Sequence, residues 1–282
     1  MQIAIASGKG GTGKTFLATC LVRYLKDRHP VVIDADVEEP NTGLHLPHEV
    51  VARFPVHRPV PSVDYDHCTF CGKCAEICRF NALVVSREVV LVYKELCHSC
   101  GACSFLCPER AIKEEPHLIG TIEEARLKTP EPGKLFTGRL IIGEAQSPPL
   151  IKAVKARGTK APIRIVDCPP GTTCPMIEAI HGADYCILIT EPTPFGLHDL
   201  ELSLEACQML DVPAGLVINR YQGDPGEIHS LAEKFKVPIL GLIPFSMALA
   251  RSYARGEDPM QVLPELEEIT ARIFTQVKEY VT

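Results

Sequence analysis

The sequence predicts an α/β fold in which a mostly parallel sheet is flanked by helices and interrupted by a small cysteine-rich α+β domain. Three observations support this prediction. Short aliphatic runs alternate with segments of helical spacing along most of the 282 residues, a pattern typical of parallel strands joined by helices. A glycine-rich turn joins the first aliphatic run to the first helical segment. Eight of the thirteen cysteines form two copies of one spacing between positions 68 and 107.

These patterns divide the chain into two domains. We expect a discontinuous domain, residues 1–62 and 112–282, and an inserted domain, residues 63–111. Residues 45–62 are rich in His, Pro and Val without a regular period, and they are expected to be a linker. Leu118 to Arg126 and Lys134 to Ile142 are predicted to be strands, joined by a turn at 129–133. The parallel sheet is expected to have about seven strands.

Composition limits the classes of protein that this chain can belong to. A hydrophobic content of 46% is enough for an ordinary buried core. The net charge of −6 provides no basic surface for nucleic acid or anionic lipid. No apolar run approaches the roughly 18 residues that span a bilayer. We therefore expect a soluble cytoplasmic protein with no nucleic-acid or membrane partner, and cysteines that bind metal rather than form disulfides.

The glycine-rich turn has the sequence of a P-loop. It lies between a strand-like run at 3–6 and a helical run at 16–22, which is the context a P-loop requires. Its backbone is expected to bind phosphates, with the Lys14 side chain on the β- and γ-phosphates and the Thr15 hydroxyl on Mg²⁺. The predicted nucleotide-binding residues of this turn are Gly8, Gly10, Gly11, Thr12, Gly13, Lys14 and Thr15. A chance match is the alternative, and it arises in roughly 1% of chains of this length.

Two aspartates follow buried strands, and ligands of α/β sheets bind where strands end. Asp36 lies in the polar, proline-broken loop after the strand at 31–34. Asp167 ends the aliphatic strand at 163–167, the arrangement of a Walker B aspartate that holds Mg²⁺ opposite Thr15. The alternative for Asp36 is a helix N-cap.

The eight spaced cysteines form an internal repeat. Each half has the spacing of a bacterial ferredoxin motif, in which the fourth cysteine binds the other cluster. We therefore predict two [4Fe–4S] clusters, one held by Cys68, Cys71, Cys74 and Cys107 and the other by Cys97, Cys100, Cys103 and Cys78. Zinc is the alternative, although it usually takes two separated pairs of ligands. The runs 83–85 and 89–93 are predicted to be small strands over the clusters, and His98 to be a surface side chain.

The P-loop contains an additional lysine, Lys9, directly after its first glycine. With this lysine the turn resembles the deviant P-loop of the MinD/Mrp and nitrogenase-iron-protein ATPases, and with its ferredoxin motifs the whole chain resembles MinD-type ATPases that carry an inserted ferredoxin. The segment 137–144 resembles a feature of that group. The resemblance implies binding of ATP or ADP with Mg²⁺, and a dimer with a second copy or with a related ATPase.

The resemblance also implies roles for single residues. Lys9 would reach the nucleotide of the partner, with a solvated lysine as the alternative. Asp36 would position or activate the attacking water, so Lys9, Lys14 and Asp36 are the predicted catalytic residues. Asn219 would read adenine, with a helix C-cap as the alternative. Many family members have an acidic residue where Ser246 stands.

Cys174 follows the Walker B aspartate at an offset similar to that of a cluster ligand in the nitrogenase iron protein. It is therefore a candidate to bind a third cluster or a metal at a dimer interface. A structural thiol at a helix start is an equal alternative. Cys168 is the nearest second ligand, although its place just after a strand favours burial.

Two functions follow from this combination of motifs. The first is an ATP-driven redox switch that passes low-potential electrons to a partner protein. The second is a carrier or assembly ATPase of the Mrp type, which delivers Fe–S clusters or metals to an apo-acceptor. A spatial-organising ATPase like MinD itself is disfavoured, because residues 270–282 have no basic amphipathic face for a membrane.

Overall fold

The computed structural model describes residues 1–128, 133–223 and 226–281. Most of the turn predicted at 129–133 therefore lies outside the described residues. The strands of the described part are β1 (Gln2–Ala6), β2 (Val31–Asp34), β3 (His48–Val63), β4 (Leu83–Ser86), β5 (Val89–Val92), β6 (Ile112–Leu127), β7 (Lys134–Leu140), β8 (Arg164–Asp167), β9 (Tyr185–Thr190), β10 (Ala214–Tyr221) and β11 (Ile239–Pro244).

Helices follow most of these strands. They are α1 (Lys14–Tyr24), α2 (Thr42–His45), α3 (Lys73–Ile77), α4 (Ala102–Phe105), α5 (Pro148–Lys155), α6 (Cys174–Ile180), α7 (Pro194–Met209), α8 (Gly226–Phe235), α9 (Met247–Ala254), α10 (Pro259–Val262) and α11 (Glu265–Val281). None of the helices in the described ranges is long and apolar enough to cross a membrane.

Nine of the described strands form one sheet, in the order β11-β10-β9-β1-β8-β2-β7-β6-β3. The first seven strands in this order, β11 through β7, are parallel to one another. The last two, β6 and β3, continue the sheet as antiparallel strands. The predicted mostly parallel sheet is thus confirmed. Because β1, β8 and β2 are adjacent and parallel, the loops that follow them meet at one edge of the sheet.

The sheet is covered on both faces, which explains its continuous aliphatic strands. On one face, Ala4 and Ala6 of β1 pack in a core with residues of α5 to α8. On the other face, Ile3 and Ile5 pack with residues of α1, α9 and α11. The alternation of β1 between small and large residues therefore matches two different helical layers.

The linker predicted at 45–62 is wrong. His48–Val63 form the long strand β3, which pairs with β6 from the His48–Leu127 pair to the Val63–Ile112 pair. Three prolines hid the strand period in the sequence: Pro55, Pro59 and Pro61. In the described sheet β3 is an edge strand, and an edge can carry proline because no further strand needs its missing N–H.

The cysteine-rich segment lies between the ends of β3 and β6. Its hairpin of β4 and β5 lies where the two small strands were predicted, and the two strands form their own sheet. A small core separate from the two large ones surrounds the cysteines; it contains Val60, Ala82, Leu83, Val90, Cys97, Cys103 and Ile112.

Candidate nucleotide site and cysteine-lined cavities

The glycine-rich loop lies between the carboxyl end of β1 and the amino end of α1. Gly13 has φ 107°, and a Cβ there would lie 2.4 Å from Asn219 Nδ2. A Cβ at Gly8 would lie 2.4 Å from the backbone oxygen of Asp199. Both positions therefore require glycine, and the loop leads into a helix N-terminus, where a phosphate can bind.

Lys14 points back into this loop. Its side chain is buried, and Nζ donates to Ser7 Oγ at 3.1 Å and to the Lys9 carbonyl at 3.5 Å. Burial lowers the pKa of Lys14, while the carboxylates of Asp167 and Asp36 oppose that shift. Because both hydrogen-bond acceptors are neutral, the ammonium group gains most from an anion placed in the loop.

The residues predicted to hold Mg²⁺ lie in one hydrogen-bonded group at the ends of α1, β2 and β8. Thr15 Oγ1 donates to Asn41 Oδ1 at 2.8 Å. Thr42 links the two strand-end aspartates, because its hydroxyl donates to Asp167 Oδ2 at 3.0 Å and its backbone N–H to Asp34 Oδ2 at 2.9 Å. The structure therefore places Thr15 and Asp167 on the same edge of the sheet.

Two oxygens of this group have no hydrogen-bond partner among the described residues: Asp34 Oδ1 and Asp167 Oδ1, both buried. Burial raises the pKa of both carboxyl groups. Unpaired buried carboxylate oxygens are costly unless a cation compensates them, and carboxylate and hydroxyl oxygens are suitable ligands for Mg²⁺. The donor set therefore fits a magnesium ion.

Asp36 lies near this group and borders the nucleotide cleft. Burial raises its pKa from the ordinary value of 3.8 to about 6, although a hydrogen bond from the Glu39 backbone N–H partly opposes the shift. A carboxylate with a pKa near 6 is a better proton acceptor than an ordinary aspartate. This property suits a residue that accepts a proton from water.

An open cleft of about 380 Å³ extends from the loop along α1 toward α9. Its volume is in the range of small-molecule sites. The loop glycines, Lys14, Thr15 and Asp36 line one end. The other end is bordered by apolar and aromatic side chains, which include Phe16, Phe245, Leu249 and Tyr253. The polar end suits phosphates and the apolar end suits a planar base.

Asn219 borders the same cleft and is hydrogen-bonded to the loop. Its Nδ2 donates to the Thr12 carbonyl at 2.7 Å, and its Oδ1 accepts from the Arg220 backbone N–H at 2.9 Å. Ser246 caps α9 by accepting from the Leu249 N–H. The contact of Asn219 with the loop was not predicted from the sequence, and it makes this amide part of the loop's support.

Lys9, the additional lysine, lies against its own chain. Its Nζ is 3.6 Å from Glu191 Oε2 and 3.5 Å from Thr193 Oγ1. Glu191 also pairs with Arg220 Nη1 at 2.6 Å. Glu191 therefore pairs with two cations beside the cleft and leaves a net positive charge there.

The eight spaced cysteines border two small cavities. One small cavity of about 20 Å³ is bordered by Cys68, Cys71, Cys74 and Cys107. A second cavity of the same size is bordered by Cys78, Cys97, Cys100 and Cys103. Each fourth cysteine thus faces the cavity of the other motif. His98 is exposed and stacks on Phe80, with ring centroids 3.6 Å apart.

Backbone conformation repeats between the two motifs at the 29-residue interval of the sequence. Positive φ occurs at 70 and 99, at 72 and 101, and at 81 and 110. The backbone N–H of Ala82 donates to Cys78 Sγ at 3.2 Å, and that of Ala111 to Cys107 Sγ at 3.3 Å. Such N–H groups stabilise thiolates, and hydrogen bonds to sulfur tune cluster potentials.

The donor chemistry of each cavity fits a four-iron cluster, since four cysteines border an apolar space. No three His, Cys, Asp or Glu side chains of the described ranges converge tightly enough for a single metal ion. Ligands of a cubane surround four metal atoms rather than one, so they lie farther apart than the ligands of a single ion.

The remaining cysteines differ in accessibility. Cys174 is the first residue of α6 and is exposed. Cys168 is fully buried, and its Sγ lies 3.7 Å from the Val166 carbonyl, so it cannot join Cys174 at a surface. Cys20, Cys186 and Cys207 are buried in the cores, as expected for packing thiols.

Three residues that organise the site were not singled out from the sequence: Asn41, Thr42 and Glu191. Asn41 and Thr42 directly follow the loop at the end of β2, so their position at a strand end was an available signal. Glu191 pairs with residues far away in the sequence, and no local pattern identifies it.

Comparisons with known proteins agree with this geometry. The sequence model described as "CobQ/CobB/MinD/ParA nucleotide binding domain" matches residues 3–260. The uncharacterized protein MJ0578 of Methanocaldococcus jannaschii is 30% identical over 285 residues, which is 100% of this chain and 98% of that protein. An uncharacterized ATP-binding protein of the same organism, MJ0547, is 26% identical over 97% of this chain and 88% of its own length.

Solved structures share the fold at lower identity. The cell division ATPase MinD of Pyrococcus furiosus has a TM-score of 0.56 and 20% identity, with 98% of each chain covered. MinD of Pyrococcus horikoshii, solved with Mg-ADP, has a TM-score of 0.55 and 19% identity, with 96% and 92% covered. Because the family model covers most of the chain, including the loop at 8–15 and the aspartates at 36 and 167, this protein belongs to the CobQ/CobB/MinD/ParA family of nucleotide-binding domains.

Proposed function

We propose that this protein is a Mg²⁺-dependent ATPase that couples its nucleotide state to the transfer of low-potential electrons to a partner protein. The observation that carries the proposal is the grouping of the eight cysteines into two four-cysteine cavities on a chain that also has a P-loop cleft. Residues 1–62 and 112–282 would form the ATPase domain, and residues 63–111 an inserted domain of the ferredoxin type.

The nucleotide chemistry follows from the groups at the sheet edge. The glycine-rich loop and Lys14 would bind the β- and γ-phosphates and stabilise the charge that develops as the terminal P–O bond breaks. Thr15 and Asp167 would hold Mg²⁺, which supplies positive charge to the same phosphate oxygens. Asp36 would accept a proton from the attacking water, and its raised pKa favours that step.

The electron-carrying groups would be two [4Fe–4S] clusters, each held by the four cysteines of one cavity. They would supply one-electron redox chemistry at ferredoxin-like potentials. The N–H groups of Ala82, Ser99 and Ala111 would stabilise the charged sulfur ligands. Exposed Cys71 and Cys100 place one edge of each cavity near the surface, where a partner can approach.

Dimerisation would connect the two activities. In the proposed cycle, ATP closes a dimer in which Lys9 contacts the nucleotide of the other subunit, and hydrolysis reopens it. Closure changes the surroundings of the cysteine segment or its distance to a redox partner. The dimer would contain two copies of this chain, or one copy and a related ATPase.

The test uses protein purified without oxygen. We expect the addition of Mg-ATP to shift the midpoint potential of a cluster, or to change the rate at which reduced protein transfers electrons to an acceptor such as methyl viologen. Lys14→Ala, which removes a phosphate ligand, should lose the response and keep its iron. An unchanged potential together with an unchanged rate would contradict the redox function.

A different result would favour the carrier function. If Mg-ATP left the potential unchanged but accelerated loss of iron and sulfide to an apo-ferredoxin, the clusters would be cargo rather than electron carriers. One or two zinc ions per chain in place of iron would leave only the ATPase.

A further inference from the structure

A buried ion pair joins the second cysteine motif to the nucleotide-binding part of the chain. Arg58 of β3 is 2% exposed, and its Nη2 lies 3.0 Å from Oε1 of Glu144, which follows β7 and has a side chain 5% exposed. Two charges taken out of water are seldom more stable than a hydrophobic pair of the same size. Stability alone therefore does not explain this pair.

The Arg58 guanidinium fixes the loop at the start of the second motif. Its Nη1 donates to the Cys97 carbonyl at 2.9 Å and to Ser99 Oγ at 3.3 Å, and its Nη2 donates to the Lys94 carbonyl at 2.7 Å. The Ser99 backbone N–H in turn donates to Cys97 Sγ at 3.4 Å. The position of Arg58 therefore determines how this loop presents N–H groups to a sulfur ligand.

Glu144 follows β7, and the end of β7 contacts the loop that contains Asp36. The carbonyl of Val37, the next residue, accepts from the Leu140 N–H at the end of β7 at 2.8 Å. A Cβ at Gly138 of β7 would lie 2.5 Å from Val37 Cγ1, so the two segments are in close contact. The Asp36 loop is therefore held against the end of β7, and Glu144 lies four residues beyond that end.

The first motif has no such connection. Among the described residues, no side chain from outside 63–111 hydrogen-bonds to the loop from Cys68 to Cys78. Near this motif, Lys113 Nζ donates a hydrogen bond to Asp64 Oδ2 at 3.4 Å, and this contact is exposed, at the ends of β3 and β6. The two cysteine motifs therefore repeat in conformation but differ in how they are attached.

We propose that the Arg58–Glu144 pair positions the second motif, so that nucleotide at the P-loop and the redox state of the second four-cysteine site influence each other. The first site lies outside this connection. This inference rests on the proposed redox function, since it concerns the coupling between the same two sites. Coupling of this kind is reciprocal: if nucleotide alters the potential of a cluster, reduction of that cluster alters nucleotide affinity by the corresponding factor.

The experiment measures both directions on anaerobically purified full-length protein. The dissociation constant of a fluorescent ADP analogue is measured for oxidised and for dithionite-reduced protein, and EPR-monitored redox titrations are run with and without Mg-ADP. In wild-type protein we expect the two dissociation constants to differ by about 5-fold or more. Only one cluster signal should shift with Mg-ADP, and it should be the signal that Cys100→Ser perturbs.

Two variants interrupt the pair from opposite sides. Arg58→Lys keeps the positive charge but loses the planar group that reaches Glu144 and two carbonyls at once. Glu144→Gln keeps the shape and loses the charge. Both should bring the ratio of dissociation constants close to 1 while iron content and the affinity of oxidised protein stay near wild type. Arg53→Lys is the matched control, because Arg53 lies on β3 like Arg58 and pairs with Glu123 of β6 at 2.8 Å, but is exposed; it should keep the wild-type ratio.

The outcomes separate the two proposals. A wild-type ratio of 1, with no shift of either signal, overturns this inference, and the redox function fails with it if Mg-ATP also leaves the rate of electron transfer unchanged. A wild-type ratio that is retained in both variants, with their iron intact, overturns this inference alone. Loss of iron from both variants also overturns it, because the pair would then hold the motif together rather than connect it to nucleotide.

Discussion

Lys9 Nζ lies 3.6 Å from Glu191 Oε2 within one chain. In the proposed dimer this lysine contacts the nucleotide of the other subunit, so it has to leave Glu191 first. The pair is therefore a contact that favours the open monomer, and its strength is a small part of the free energy of dimerisation.

Glu191→Gln should make nucleotide-dependent dimerisation easier. Partly exposed ion pairs contribute about 0.2–1 kcal/mol each, and two are broken per dimer, so we expect a dimer dissociation constant about 2- to 30-fold lower. Sedimentation velocity with a non-hydrolysable ATP analogue measures it. Glu201→Gln, which removes the exposed Lys234–Glu201 pair at 2.6 Å, is the control. Weaker dimerisation of Glu191→Gln would mean that Glu191 supports the dimer instead.

Asp36 should make the free protein less stable as the pH rises toward neutrality. Its pKa is about 6 in the folded chain and near 3.8 when unfolded, so the folded state binds the proton more tightly. The stability that this group contributes is complete below about pH 4 and is lost as the pH rises through 6. Asp36→Asn should therefore raise the free energy of unfolding at pH 7.5 by about 1 kcal/mol, a value reduced for partial exposure.

Urea unfolding followed by circular dichroism between pH 5 and 8, without nucleotide, checks this expectation. The difference between Asp36→Asn and wild type should shrink toward pH 5. Glu49→Gln changes an exposed carboxylate outside this loop and serves as the control. A difference that does not depend on pH would contradict the assignment to Asp36.

Asn219 should matter for phosphate binding as well as for base recognition. In Asn219→Asp the carboxylate cannot donate to the Thr12 carbonyl, which leaves the loop without a buried hydrogen bond. We expect the affinities for Mg-ATP and for Mg-tripolyphosphate, which has no base, to fall alike by about 10-fold or more. Isothermal titration calorimetry measures both. A loss of affinity for Mg-ATP without a loss for Mg-tripolyphosphate would mean that Asn219 only recognises adenine.

The cysteine cavities predict which substitutions affect the same cluster. Cys78→Ser should perturb the EPR signal that Cys100→Ser perturbs, although Cys78 belongs to the first motif in the sequence, because both border one cavity. Cys107→Ser should perturb the same EPR signal as Cys71→Ser, because these two cysteines border the other cavity. If Cys78→Ser matched Cys71→Ser instead, each motif would hold its own cluster.

Iron and sulfide content tests the site proposed at Cys174. We expect about eight of each per chain, from two four-iron clusters, and the same content in Cys174→Ser. Cys174 is exposed, but the nearest second cysteine is buried, so each subunit offers one accessible thiol there. About ten per chain, with the excess lost in Cys174→Ser, would favour a cluster shared between subunits.

Local patterns predicted the parts of this structure that depend on local sequence. The P-loop, the strand-end aspartates and the small strands over the cysteines follow from spacing and periodicity over a few residues. The position of Cys78 and Cys107, each at the cavity of the other motif, followed from an internal repeat. Such a repeat carries information about distant contacts.

The parts that were missed depend on distant neighbours. Local sequence predicts a linker in place of β3, because the prolines of this strand are acceptable only at a sheet edge, and the edge is defined by topology. Glu191 was missed because its cations, Lys9 and Arg220, come from loops distant in sequence. Arg58 and Glu144 lie on separate segments that meet only when β3, β6 and β7 are side by side.

The pairing of Val63 with Ile112 has an evolutionary consequence. Paired residues on adjacent antiparallel strands are about 5 Å apart, so a two-residue turn could replace everything between them without disturbing the sheet. A module inserted at such a ribbon tip can be gained, lost or exchanged in one genetic event. The nine-stranded sheet can thus stay the same while the segment at the tip of β3 and β6 changes.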